Sequence, residues 1–347
     1  MSTGDAASEP SSGSEKRAIA LLSCAAFASA AAVRVCDPLR PDLAQSFNTS
    51  TGEAAYVISA FSVTYGLLQA FYGPLGDRYG KYRVVALATI ASAVGSIGSA
   101  IAGSLGSLIL ARVLAGGTAA AIIPLSMAWI GDTVPYQRRQ ATLARYLSGQ
   151  MLGIIGGQLI GGVFADTLGW RWSFATLAVI YLVVGALLHS ELRRASSSAR
   201  GGAAVSVTER ELSMLAKIGT VLKIPWARLV IVTVFLEGMA VYGAAAFIPS
   251  YLHARFGLSL TAAGAVFAVF GLGGLLYVFF ATHLIAAIGE RGLALGGGAC
   301  LGAAYFVLLL GPQWFWAPLA TFAAGLGFYM MHNTLQTNAT QMAPANR

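Results

Sequence analysis

Apolar stretches of about twenty residues alternate with short polar joints along nearly the whole chain. Ten of them stand near 17–37, 53–75, 84–103, 107–131, 144–165, 172–190, 227–250, 261–287, 293–311 and 314–334. Each is close to the roughly 20 apolar residues that a helix needs to cross a bilayer. A barrel strand would show only about ten residues of alternating polarity. In lipid every backbone N–H and C=O must be satisfied internally, so runs of this length predict helices. The expected fold class is an all-α polytopic membrane protein. The first run begins at Lys16-Arg17 and contains Ala28-Ser29-Ala30, as a signal peptide would. Its removal would invert every later span, so the expectation is an uncleaved first helix.

Composition agrees with the pattern. Of 347 residues, 56% are hydrophobic and 10% charged, against about a quarter charged in an ordinary soluble domain. The net charge of +8 need not mean nucleic acid, because basic residues are retained in cytoplasmic loops of membrane proteins. With the N-terminus inside, 17 of the 22 Lys and Arg residues fall in inner segments and three, Arg40, Arg171 and Arg255, fall outside. That asymmetry predicts a cytoplasmic N-terminus in a plasma (bacterial inner) membrane. Cys24, Cys36 and Cys300 form neither a disulfide frame nor a metal spacing. No nucleophile triad, metal cluster or phosphate loop stands out, so neither an enzyme nor a bound cofactor is expected.

One long polar segment interrupts the spans. The expected organisation is a tail over 1–16, a six-helix bundle over 17–190, a linker over 191–226 and a four-helix bundle over 227–347. Within the linker, Thr208 and Glu211 have capping-box spacing, and Leu212, Leu215, Ile218 and Leu222 recur at helical period. An amphipathic helix along the inner leaflet is one reading and a solvated linker the other.

Charge is also concentrated in "GPLGDRYGKYR", residues 73–83, the tight joint between spans two and three. Glycines permit a sharp corner and close helix approach. Asp77 and Lys81 are four apart, as a helical ion pair would be, and Asp132 lies at the inner end of span four. Gly73, Leu75, Gly76, Asp77, Arg78, Gly80 and Lys81 resemble the loop 2–3 motif of the major facilitator superfamily. Arg112 with Gly116 and Pro124 resembles its fourth-helix motif, and "RVCDPLRPDLAQSF" from Arg34 resembles the first helix of its drug- and sugar-efflux, proton-coupled branch. Gly289-Glu290-Arg291 repeats the Gly80 corner 209 residues later, with Ala286 where Asp77 stands. Such weak repetition suits a transporter built of two related halves.

The resemblance implies two pseudo-symmetric bundles, and secondary transport of small organic molecules by alternating access. The expected function is proton-coupled efflux driven by the proton gradient. Uptake symport or facilitation, a non-transporting sensor, and a defective fragment are the alternatives. The expected partners are the lipid bilayer, protons and a small-molecule substrate, with the protein a monomer. The family's cytoplasmic gate maps onto Gly73, Asp77, Arg78, Gly80, Lys81 and Asp132. The family has twelve helices and the chain shows ten, so the sequence reads as C-terminally truncated.

Charges inside spans are expensive, at least ~2.5 kcal/mol on insertion scales, and are functional candidates by default. Arg34, Asp37, Arg112 and Glu237 qualify. Asp37 and Arg112 lie at compatible outer depth and are expected to interact, or else Asp37 is interfacial with Arg34 reaching for water. Glu237, near mid-span, is expected to bind the coupling proton, or to form an interhelical hydrogen bond. His283 and His332 are placed near inner helix ends. Gly149, Gly153, Gly157 and Gly161 repeat every four residues and predict a smooth packing ridge, with span eight (Gly264, Ala268, Gly271 and Gly274) as the expected partner. "GIIGGQLIGG" there resembles the family's antiporter motif, with Gln158 in its proline position. Ser62, Gln69, Gln150, Gln158, Tyr242 and Gln336 are candidates to line the substrate cavity, or are interhelical hydrogen-bonding groups.

Overall fold

All ten apolar runs are helical in the computed structural model, which describes residues 12–198 and 223–341. The helices are α1 (Ser12–Arg34), α2 (Arg40–Ser46), α3 (Thr51–Ala54), α4 (Tyr56–Tyr79), α5 (Lys81–Ala100), α6 (Leu105–Ala119), α7 (Ile122–Thr133), α8 (Tyr136–Asp166), α9 (Trp170–Ser198), α10 (Pro225–Phe256), α11 (Leu260–Leu310) and α12 (Trp316–Gln341). No strand occurs among the described residues. Eight segments among them are long and apolar enough to span a bilayer, and the longest, Leu260–Leu310, is two helices meeting at Gly289. The tenth run is α12. The amphipathic helix expected from Thr208 lies outside the described residues.

Local sequence explains the departures from uninterrupted spans. The first helix stops at Arg34 rather than at 37, because Pro38 disfavours helical backbone at the residue before it and Pro41 follows closely. The fourth run breaks into α6 and α7 at Ala120–Ala121. Pro124 has no N–H to give to the carbonyl of Ala120 and crowds it, so the helix restarts. Gly80 and Gly289 take φ of +88° and +66°, the left-handed region that lets one residue turn the chain between two spans.

The contacts fall into two compact units. The first comprises the described parts of Met1–Val33, Tyr56–Gly153 and Phe174–Ala199. In it α4, α5 and α6 pack together, with Gly95 against the backbone of Ala115 and Gly116 against that of Phe61. The second comprises the described parts of Arg34–Ala55, Ile154–Ser173 and Arg200–Arg347. Its main pair is α11 and α12, brought together where Gly273 meets Phe322 and Gly325 meets Phe270.

The glycine ridge of α8 meets α1, not span eight. A Cβ on Gly149 would lie 2.7 Å from the carbonyl oxygen of Ser23, and one on Gly153 would collide with that of Phe27. In the second unit, a Cβ on Gly161 would collide with the carbonyl of Val35. Both sequences advance in fours, so the ridge follows successive turns of a parallel neighbour. Gly157 is buried in the same row. Span eight touches the adjacent face of α8 instead: a Cβ on Gly264 would stand 2.7 Å from the carbonyl oxygen of Gln158, and one on Gly162 would stand 2.6 Å from that of Leu260.

The turn after α1 is secured locally. Trp170 donates its backbone N–H to Asp42 (3.2 Å) and its indole N–H to Ser46 (3.1 Å), with its ring against Phe47. At the start of α11, Asp166 accepts the backbone N–H groups of Leu260 (3.0 Å) and Thr261 (2.5 Å), two donors that the first turn of a helix cannot use internally. Asp166→Ala is expected to cost about 1 kcal/mol, the usual worth of a helix cap, read as a small fall in the thermal midpoint of the purified protein.

Candidate functional site

The loop 2–3 charges form a three-membered cluster in the first unit. Lys81 Nζ lies 3.2 Å from Asp77 Oδ1 and 2.5 Å from Asp132 Oδ2, so one cation at the start of α5 joins the ends of α4 and α7. Gly73 and Gly80 flank Asp77, and Gly80 makes the corner that carries Lys81 back toward it. Arg78 makes no ion pair among the described residues, and its guanidinium lies 5.3 Å from the centroid of its neighbour Tyr79. Both acids are well exposed, so these pairs contribute little to stability. Their geometry can matter to a moving joint all the same.

Arg112 is also in the first unit and 99% buried. Its Nη2 donates to the carbonyl of Ala32 at 2.9 Å and its Nε to that of Val57 at 3.4 Å. The guanidinium sits 4.1 Å from the centroid of Phe61 and 5.7 Å from that of Phe174. Backbone carbonyls and aromatic faces together hold this charge out of water.

In the second unit, Asp37 occupies the buried turn past the membrane-spanning segment that ends at Arg34. Its Oδ2 accepts from Gln158 Nε2 at 2.7 Å and from Arg34 Nη1 at 3.4 Å, while its Oδ1 has no hydrogen-bond partner among the described residues. Burial pushes the carboxyl up to about 6, against the opposing pull of Arg34, Gln158 and Arg40. The sequence offered two readings of this carboxyl, an interaction with Arg112 or an interfacial place near Arg34; within its own unit it is held by Arg34 and Gln158. Gln158, where the antiporter motif has proline, therefore has a definite role as an anchor for Asp37.

A second buried carboxyl belongs to this unit. Glu237 is 93% buried on α10, and its Oε2 stands 3.0 Å from Nδ1 of His332 on α12. Its Oε1 has no hydrogen-bond partner among the described residues. Thr233, one turn away, donates to Leu229 instead. The His332 ring stacks on Phe328 at 5.0 Å, Phe328 meets the edge of Tyr242 at 5.6 Å, and Arg34 lies 4.7 Å from the Tyr242 centroid. Contacts therefore run without a gap from Asp37 through Arg34, Tyr242, Phe328 and His332 to Glu237. Midway along these contacts the Tyr242 ring is partly exposed and presents an aromatic surface beside Arg34.

His332 and Arg40 are the residues that sequence reasoning misjudged. α12 continues to Gln341, seven residues beyond the expected end of span ten, which moves His332 from an inner helix end into the helix interior. Arg40, counted as an outer loop residue, is 98% buried with its guanidinium 3.7 Å from the Phe247 centroid. Among the other cavity candidates, Ser62 and Gln69 are exposed on α4 and Gln150 is part-buried on α8. The side chain of Gln336 lies outside the described residues.

The helices and charge clusters find their counterparts in known proteins. The uncharacterized MFS-type transporter YwfA of Bacillus subtilis (strain 168) is 27% identical over 252 residues, which is 73% of this chain and 60% of that protein. YceJ of the same organism, also an uncharacterized MFS-type transporter, is 25% identical over 312 residues, 87% of this chain and 76% of YceJ. The multidrug export protein EmrB of Escherichia coli (strain K12) is 30% identical over 134 residues, 39% of this chain and 26% of EmrB. The chain thus spans only part of the length of these relatives. The family model of the Major Facilitator Superfamily matches residues 22–347, nearly the whole of a chain whose apolar runs are all helices. This chain belongs to the Major Facilitator Superfamily.

Proposed function

We propose that the chain is part of a proton-coupled exporter of small organic molecules that works by alternating access. The observation that carries this reading is the Glu237–His332 pair, a buried carboxyl and a part-buried imidazole within hydrogen-bond distance inside the helical unit. Glu237 Oε2 and His332 Nδ1 stand 3.0 Å apart, the separation at which a proton can pass directly between a carboxyl and an imidazole. Asp37 is a second protonatable group. Protonating it would weaken its attraction for Arg34, whose guanidinium faces Tyr242. The similarity to EmrB, a multidrug export protein, favours efflux. The substrate meets the partly exposed ring of Tyr242, and the Lys81 cluster acts as the cytoplasmic gate.

The test is flux in membrane vesicles containing the full-length protein. Inverted vesicles are expected to accumulate substrate when their lumen is acidified, and a protonophore should stop it. Accumulation confined to right-side-out vesicles would establish uptake and remove the exporter reading.

The gate has its own prediction. Asp77→Asn removes one of the two anions on Lys81 yet should leave the thermal midpoint nearly unchanged, since exposed pairs contribute ~0–1 kcal/mol. Transport at matched membrane abundance is expected to fall severalfold. Equal rates in mutant and parent would leave the loop with an orienting role alone.

A further inference from the structure

The first unit carries a groove that the transport reading leaves unused. It has a volume of 430 Å³ and runs between α4, α5 and α6, within the range of small-molecule sites. Tyr72, Leu75 and Tyr79 of α4 form one wall, and Arg83, Leu87 and Ala91 of α5 form the other. From Arg83 to Ala91 is eight residues, about 12 Å at helical rise. The groove therefore leads from the polar corner at Gly80 into the hydrocarbon-spanning part of the helices.

Its two ends differ in chemistry. At the deep end the polar groups are already satisfied: the Tyr72 hydroxyl donates to the carbonyl of Gly117 at 2.8 Å, and Thr118 shares a 2.9 Å hydrogen bond with Ser92. What remains there is apolar wall. Leu75 and Leu87 are 40% and 51% exposed, a large apolar area for a groove to leave open. The mouth is cationic. Arg83 is exposed and makes no ion pair among the described residues, whereas Lys81, two residues earlier, is shared by Asp77 and Asp132. Arg78, equally without an ion pair among the described residues, lies over the ring of Tyr79 at the same end.

We propose that this groove binds one acyl chain of an anionic glycerophospholipid, with the headgroup phosphate held by Arg83. The cationic mouth is complementary to a phosphate bearing no compensating ammonium, and a guanidinium can grip it with two hydrogen bonds. The apolar depth suits a hydrocarbon chain and gives a polar solute nothing to bind. Tyr79 sits where aromatic side chains favour the headgroup level. The site is separate from the Glu237–His332 pair and stands whichever way the protein exports or imports.

Retention of lipid by the purified full-length protein, counted by native mass spectrometry after equilibration with phosphatidylglycerol or phosphatidylcholine, tests it. The parent protein should retain phosphatidylglycerol preferentially. Arg83→Gln should reduce that retention about fivefold, the worth of one basic residue near an anionic membrane surface, and leave phosphatidylcholine unchanged. Ala91→Phe fills the deep end and should displace both. Equal retention of phosphatidylglycerol by the parent and Arg83→Gln overturns the proposal without reference to the second variant.

Discussion

Glu237→Gln is expected to abolish accumulation driven by a pH gradient, by more than tenfold, while leaving the protein folded and inserted. The amide matches the carboxyl in size and keeps hydrogen-bonding atoms facing Nδ1 of His332, now 3.0 Å away from Oε2. What it lacks is the ability to take up and release a proton. Folding should survive because an isosteric neutral group in a buried site avoids the desolvation cost of a charge. Exchange of labelled for unlabelled substrate needs no net proton movement and should persist, so counterflow provides the internal control. If Glu237 were a neutral structural donor, Gln would behave as the parent does in both assays. Normal pH-driven accumulation by the mutant would move the coupling proton to Asp37.

The second large effect is expected at Gly153. Leu placed there must find room where a Cβ already collides with the carbonyl of Phe27 and stands 2.9 Å from the side chain of Ala30. The obstacle is backbone, which cannot swing aside as a side chain can. Separating α8 from α1 strips contacts along the whole row, at a cost of about 3 kcal/mol, the upper part of the range for overpacked cores. The yield of folded protein and its thermal midpoint should both fall sharply. Gly302→Leu is the control, because nothing lies within 4 Å of a Cβ there, and Leu is the better helix former. An undiminished midpoint for Gly153→Leu would place the ridge against lipid.

These two residues also show what a sequence can disclose. The spans are legible because crossing a bilayer is a matter of counting apolar residues against a fixed thickness. The ridge on α8 is legible for the same kind of reason: glycines four apart must lie in one row. Its partner is not. The search for a matching row of small residues led to span eight, whereas the ridge fits against Ser23, Phe27 and Val35, none of them glycine. One smooth helix suffices for close approach, and the other contributes only its backbone. Glu237 was legible as a costly charge, but His332 was not its evident partner. The last apolar run was expected to end near 334, while the α12 helix runs on to Gln341. Hydropathy locates the membrane, and it loses the helix where its sequence turns polar.

Gly80 and Gly289 stand at matching places in the two halves, and both bend the chain with positive φ. The charges did not travel with the bend, for Ala286 holds the place that Asp77 holds in the first copy. Duplication thus separates two requirements that one motif otherwise confounds. The corner is retained twice because each hairpin of helices needs it to enter the bilayer. The acid is present in only one copy, where it shares Lys81 with Asp132. A single protein thereby contains its own comparison between a corner that carries a charge cluster and one that does without it.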